Sequence, residues 1–297
     1  MEQSRREYLP EGWSFSRAVR ARTSIRTYEE TSLSEEVRAD IDKLLADPVT
    51  PPFKNPVRFK LLDLAELPPE ERSAFGTYGF IRSARYFIVT AVKKGPKSME
   101  DLGYALEEII LLLTARGLGT CWLGGTFKRS RLVDFFEIQT DEVLPAITPV
   151  GYPAKRRAIT DRLIHMASGA SSRKPWEKLF FGPSYEPLSK QEAGVWEEPL
   201  ECVRLAPSAS NRQPWRVVYR PGGGRPAGSG CLDFYLKRTP GYGTLTGGVS
   251  LQDIDMGIAM CHFECAVRET GLSGGWEGKN NPGAKWDYIT SWMSPNP

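Results

Sequence analysis

Histidine is nearly missing from this chain, since His165 and His262 are the only two among 297 residues. A Ser-His-Asp triad needs an imidazole beside a nucleophile on a recognisable elbow, and neither histidine has one in sequence. The five cysteines are scattered, odd in number and without a CxxC pair, which argues against a disulfide framework and fits a reducing compartment. Cys261, His262 and Cys265 are too sparse for zinc, which wants four close donors, and read as small residues on a packed helix. A Walker loop and a strand-preceded GxGxxG are also absent. No apolar run reaches the roughly 18 residues of a membrane span, and the opening MEQSRREYLPEGWSF lacks a signal-type apolar core. The expectation is a cytoplasmic protein with no membrane partner. A net charge of +3, with short basic clusters at 128–131 and 155–157, is too mild to argue for nucleic acid.

What the chain does hold is an ordinary globular composition, 40% apolar and 25% charged, and one strongly patterned stretch. In DLGYALEEIILLLTARGLGTCWLGG, from Asp101 to Gly125, Leu102, Ala105, Leu106, Ile109, Ile110 and Leu113 recur at three- and four-residue steps, one helix stripe. Ser98 and Asp101 offer a capping pair before it, and Gly117 a left-handed stop after it. At a constant offset of 154 residues Asp101, Gly103, Ala105, Gly117, Leu118, Trp122 and Gly124 meet Asp255, Gly257, Ala259, Gly271, Leu272, Trp276 and Gly278. A period of about half the chain means two copies of one domain. The expected units are 1–167 and 168–297.

Further elements are read from local chemistry. An amphipathic helix is expected over 34–45, strands over 59–64, 85–92 and 145–153, a helix over 191–205, and strands running out of 206–219 and over 231–236. The proline-rich 47–56 can be neither helix nor central strand. Residues 171–181 read as a degenerate second version of the segment that begins at Arg22, and 221–230 as a mobile hairpin loop. Strand, long helix, strand in each copy gives an α+β fold, a three-layer α/β/α sandwich in two tandem copies.

Three segments can carry chemistry. Arg22-Thr23-Ser24-Ile25-Arg26 presents two guanidiniums and two hydroxyls suited to phosphate or carboxylate, although a polar helix border would look the same. Pro207-Ser208-Ala209-Ser210-Asn211-Arg212-Gln213-Pro214-Trp215 presents hydroxyls and amides from a stiff loop, or is an ordinary turn before a strand. The turn Trp122-Leu123-Gly124-Gly125 offers backbone N–H groups that a flat ligand could approach, or serves packing alone.

Together these segments resemble the flavin-dependent nitroreductase family, with its RxSxR, PSxxNxQPW and GLGTxWxGG-like signatures, and within it the internally duplicated, single-chain pseudodimeric group. RTSIR and GLGTCWLGG are intact only in the first half and PSASNRQPW only in the second. In this family one flavin draws on both subunits of a homodimer. The resemblance therefore implies one composite FMN site in which Arg22, Thr23, Ser24, Arg26, Leu123, Gly124 and Gly125 meet Pro207, Ser208, Ala209 and Asn211. The complementary site reads as lost, with Arg173-Lys-Pro-Trp-Glu177 and a loop carrying Phe53 in place of the motifs.

By the same resemblance, Arg22 and one or more of Lys155, Arg156 and Arg157 bind the terminal phosphate. Arg26 lies by the pyrimidine edge and raises the potential, Gly124 and Gly125 face the flavin N5, and Asn211 and Ser208 bond the ring or ribityl chain. Thr77 and Tyr78 lie near the cofactor. No side chain is expected to be catalytic, and relatives with an acidic residue at the place of Gly124 leave substrate preference open. The implied activity is hydride transfer from NAD(P)H to FMN and on to a small planar acceptor, a nitroaromatic or a quinone. A flavin carrier or a pseudoenzyme without turnover is the alternative. A pseudodimer has already buried the interface its relatives use, so the chain is expected to be a monomer.

Overall fold

The computed structural model describes residues 5–68, 72, 81–124, 132–155, 172–222, 229–242, 244–245, 248–279 and 285–294. Thr77, Tyr78, Gly125, Arg156, Arg157 and the expected boundary at 167/168 lie outside the described residues.

Two sheets are built on one plan. The first half supplies helices α1 (Phe15–Ala21) and α2 (Glu35–Ala46), strands β1 (Val57–Asp63) and β2 (Tyr86–Lys93), helix α3 (Ser98–Ala115), and strands β3 (Gly119–Thr120), β4 (Glu142–Val143) and β5 (Ile147–Gly151). Its sheet runs β1-β2-β5-β3, all antiparallel, with β4 paired to β2. The second half supplies β6 (Phe180–Phe181), α4 (Glu197–Leu205), β7 (Trp215–Pro221), β8 (Gly230–Leu236), the small pair β9 (Thr244–Leu245) and β10 (Val249–Ser250), α5 (Leu251–Thr270), β11 (Gly275–Glu277) and β12 (Asp287–Met293). Its sheet runs β7-β8-β12-β11, again antiparallel, with β6 added in parallel to β7. The same order of first, second, last and third strand in both sheets makes the halves tandem copies of one α+β fold.

Chain chemistry explains the helix ends. The Ser14 and Ser34 hydroxyls accept N–H groups of Arg17 and Val37 to start α1 and α2, and Gly271, at φ 74°, stops α5. Gly117, at φ 76°, plays that part after α3. The start of α3 is a correction. Ser98 turns its hydroxyl back to the Gly95 carbonyl at 2.9 Å, and Asp101 serves as acceptor for a different segment, described below. Residues 171–181 end as a strand, β6, on the second sheet. The expected helix over 191–205 is broken where Gly194 takes a positive φ of 55°, leaving one α turn (Lys190–Ala193) and one 3-10 turn (Gly194–Trp196) before α4. Strands β11 and β12 have no counterpart among the expected elements.

The two central helices cross at the middle of the molecule, and almost every residue of α3 is buried, as a helix packed on all sides requires. A Cβ on Gly103 would lie 2.1 Å from the Ile254 carbonyl oxygen, and one on Gly257 would lie 1.8 Å from that of Glu100. Ile254 stands to Glu100 as Gly257 stands to Gly103, so the crossing has local twofold symmetry. Further ties join the halves: the Glu269 carboxylate on α5 receives the N–H groups of Phe15 and Ser16 at the start of α1. Among the described residues no helix is long and apolar enough to cross a membrane.

Candidate active site

Arg22 is fixed by the end of α1, where its N–H bonds the Ala18 carbonyl at 2.8 Å. Beyond it the chain is drawn along β3: Ser24 bridges Thr120 in parallel, and the Ile25 N–H reaches the Thr120 carbonyl at 2.8 Å. Gly119 lets this happen, because a Cβ there would come within 2.9 Å of the Ile25 side chain. The RTSIR segment therefore lies beside the turn that follows α3.

From the other half comes the loop 206–214, held in shape by its own polar groups. Ser208 Oγ accepts the Gln213 N–H at 2.8 Å, and the Ser208 carbonyl accepts the Asn211 N–H at 2.9 Å. Ser210, Asn211 and Gln213 all sit at left-handed φ, 46°, 53° and 47°, a costly backbone of a kind found at ligand clamps. The Tyr242 hydroxyl donates to Ser210 Oγ at 2.8 Å, and the Lys174 N–H to the Gln213 side chain at 2.7 Å.

Both segments face one cleft of about 300 Å³, within the size range of small-ligand sites. From the first half it is lined by Arg22, Ser24 and Arg26 and by Cys121, Trp122 and Gly124. The second half contributes Pro207, Ser208, Ala209, Ser210 and Asn211, with Leu251, Ile254, Asp255 and Ile258 of α5 as a floor. Arg173 and Tyr242 complete the rim.

Several expected residues stand differently. Thr23 is exposed, Leu123 is core and pairs in a bridge with Ile147, and Lys155 is exposed; none of the three lines the cleft. Asn211 lines it, but its carboxamide already donates to the Ser172 carbonyl at 2.9 Å and accepts from Gln213 at 3.0 Å. Its evident task is to shape the loop. Gly124 is glycine for packing as well: a Cβ there would lie 2.5 Å from a methyl of Leu251.

Sequence reasoning missed Arg173, Tyr242 and the α5 floor. Arg173 was read as part of the degenerate motif, yet it donates to the Leu205 carbonyl at 3.0 Å and faces the live cleft. Burial first, then the positive charges of Arg22 and Arg204, bring its pKa down to about 10. The signal for the floor was present in Leu251, Ile254, Asp255 and Ile258, an apolar stripe with one carboxyl in it.

Below the cleft lies a buried polar chain. Glu107, fully buried, meets His262 Nε2 at 2.8 Å and the Trp122 indole N–H at 2.6 Å, with Arg22 Nε 3.7 Å away. His262 Nδ1 faces the Cys202 carbonyl at 2.9 Å. Five segments meet there, and the Trp122 ring is locked as a wall of the cleft.

A duplicated α+β fold with a cleft between its halves defines the class. Residues 15–267 match the family described as "Putative TM nitroreductase", and the chain belongs to that family. A "putative nitroreductase" from Thermotoga maritima is similar over 97% of this chain and 96% of its own, at 22% identity and a TM-score of 0.61, which shows the fold. A "putative nitroreductase in complex with FMN" from Desulfovibrio desulfuricans is similar over 50% of this chain and 95% of its own, at 23% identity and a TM-score of 0.38. An FMN-dependent nitroreductase from Clostridium difficile is similar over 48% and 92%, at 19% identity and a TM-score of 0.37. Likeness of these last two at that level fixes nothing about the present cleft. No curated protein matches the chain.

Proposed function

We propose that the cleft is a single composite FMN site and that the protein is an NAD(P)H-dependent flavin oxidoreductase of nitroreductase type. The observation that carries this reading is the convergence of Arg22, Ser24, Arg26, Trp122 and Gly124 from one half with Pro207 to Asn211 from the other on one cleft. The donor set fits such a ligand: among the described residues three arginines and one carboxyl line the cleft, and burial pushes that carboxyl, Asp255, up to about 8, so it is mostly uncharged at neutrality. The field is positive and suits a phosphate-bearing ligand. One buried polar atom of a residue lining the cleft, Asp255 Oδ2, has no hydrogen-bond partner among the described residues, as befits a site completed by a ligand.

Arg22, Arg26 and Arg173 supply cations, Ser24, Ser208 and Ser210 supply hydroxyls for a polyol chain, and the locked Trp122 ring supplies a flat wall. When bound, FMN supplies acceptance of a hydride from NADH or NADPH and its transfer to a small planar acceptor such as a nitroaromatic or quinone. The chain's own part is to bind, orient and set the field. The crossing of α3 and α5 does the work of a dimer interface, and the protein acts as a monomer of 33.2 kDa.

The test is the visible spectrum of purified protein with released flavin counted per chain. One FMN per chain, bleached by NADH or NADPH, is the expected result. Bound flavin that neither nucleotide bleaches would indicate a carrier, and two flavins would overturn the single composite site. No flavin after reconstitution would overturn the reading altogether.

A further inference from the structure

Asp255 sits on the second turn of α5, 2% exposed, with Leu251, Ile254 and Ile258 around it on the cleft floor. Its Oδ1 accepts the Ala209 N–H at 2.9 Å, and its Oδ2 has no hydrogen-bond partner among the described residues. The repeat supplies an internal reference. Asp101, at the same place on α3, accepts the Phe53 N–H at 2.9 Å, and the Asn55 N–H and side-chain N–H at 2.8 Å each. Both of its oxygens are engaged.

The difference lies in one asparagine. Asn55 turns both of its N–H groups back to Asp101, whereas Asn211 gives its main-chain N–H to Ser208 and its carboxamide to Ser172. Lys54 and Ser210 are both left-handed, and the second loop adds Asn211 and Gln213, whose counterparts in the first are not. The second half has thus left one carboxyl oxygen of a residue lining the cleft without a partner among the described residues. A buried carboxyl oxygen with no partner is costly, and two circumstances remove that cost: a proton on the oxygen and an acceptor on the ligand.

We propose that Asp255, as a neutral acid, donates a hydrogen bond from Oδ2 to an acceptor of the ligand bound in the cleft, on the flavin reading an oxygen or nitrogen of FMN. Asp255 is then a binding residue, and flavin affinity follows its protonation. The inference rests on the flavin reading and names one polar contact of that site. Burial and the neighbouring charge of Asp253 on the same helix both favour the neutral form. A buried acid kept neutral so that it can donate is a known device of active sites.

Other charged or titratable groups face the same space: Arg22 and Arg26 from the segment after α1, Arg173 from the junction, Tyr242 from the β8–β9 loop and Cys121 from the turn. Glu100 lies on α3, which crosses α5 at Gly257, and Lys97 just precedes that helix. One group competes in the relevant pH range. Lys174, brought down to about 8 by burial and by Arg216, Lys237 and Arg212, donates to the Arg212 and Gln213 carbonyls and so braces the same loop.

The experiment is FMN titration by quenching of flavin fluorescence at pH 7.0 and pH 9.0 on the whole chain, its D255N and K174M variants, and D101N as control. With Asp255 near the value above, affinity of the unaltered protein should fall about tenfold between the two pH values. D255N keeps a donor and cannot ionise, so its affinity should stay level; K174M should retain the fall and D101N should match the unaltered protein. A level profile in the unaltered protein, or a fall that persists in D255N and vanishes in K174M, overturns the inference and leaves the flavin site standing. Absence of binding by every form at both pH values overturns the flavin reading and this inference with it. Melting temperatures of the flavin-free forms confirm that D255N is folded.

Discussion

The two loops that cap the central helices began as copies, and they have parted. In the first half, Phe53 stands where the second has Ala209, and Lys97, Glu100 and Tyr104 stand where the second has Leu251, Ile254 and Ile258. Lys97 Nζ pairs with Glu100 at 3.0 Å and lies 5.7 Å from the centre of the Phe53 ring. Larger and charged side chains thus stand in the first half at the places of the cleft's floor. In the second half small and aliphatic residues leave a cavity, and the loop carries three left-handed residues, Ser210, Asn211 and Gln213, to hold its opened shape. One copy has taken the stable arrangement of loop and helix and the other a strained, open one. The fold tolerates both because the helix crossing beneath them is unchanged.

Breaking the crossing should therefore hurt both halves alike and more than any change in a loop. Gly103→Ala and Gly257→Ala each drive a Cβ into an opposing carbonyl. Each should destabilise by about 4 kcal/mol, read in denaturant unfolding; a large effect from one and none from the other would deny the symmetry. Next in size is Ala209→Phe, which imports the residue of the closed loop. The first half already folds with a phenylalanine there, so stability should hold while FMN affinity drops by about 100-fold, roughly 2.7 kcal/mol. Retained affinity would place the flavin elsewhere.

Much of this contrast was legible in sequence, and what was not has a physical reason. The offset of Asp101, Gly103 and Gly117 against Asp255, Gly257 and Gly271 revealed the duplication because glycines at a helix crossing and a helix stop tolerate little change. Phe53, in the loop that stands in place of the PSxxNxQPW motif, gave the expectation that the complementary site is lost. Two kinds of feature stayed hidden. Arg173 looked like debris of a lost motif, because its role depends on where the junction lies, and nothing in the residues from Ser172 to Pro175 encodes that. The bare oxygen of Asp255 was hidden too: Asp101 and Asp255 are the same letter in the same pattern, and only the direction of one asparagine's N–H groups separates them. Strands β11 and β12 passed unread since their pairing partners, β8 and β12 itself, are set by tertiary contact more than by local preference.

The pair of aspartates sharpens the contrast further, and here the flavin-free protein suffices. Asp255 has a folded pKa raised to about 8, against roughly 4 in an unfolded chain. As pH rises from about 4 to 8 the unfolded chain gives up a proton that the folded one keeps, so native stability falls through that window and levels off above it. Asp255→Asn removes the titration. Its advantage over the unaltered protein should grow by on the order of 3 to 4 kcal/mol between pH 5 and pH 8. Asp101, with three donors, is also raised by burial, but its hydrogen bonds work the other way. Asp101→Asn discards an acceptor for one of those donors and should bring no such gain; equal gains from both variants would mean that the two carboxyls share one environment.

The smallest effect is expected where the first half has filled its space. Lys97 is about one third exposed while its partner Glu100 is buried. Burial raises the Glu100 carboxyl, and Lys97 is the first influence opposing that rise. Lys97→Met removes the cation, so Glu100 should take up a proton more readily, and that response limits the loss to about 1 kcal/mol or less. FMN affinity should not change, because neither Lys97 nor Glu100 lines the cleft. A measurable gain of a second flavin on this single change would show that the first cleft is held shut by one ion pair; retention of one flavin per chain would show that Phe53 and Tyr104 close it without the pair.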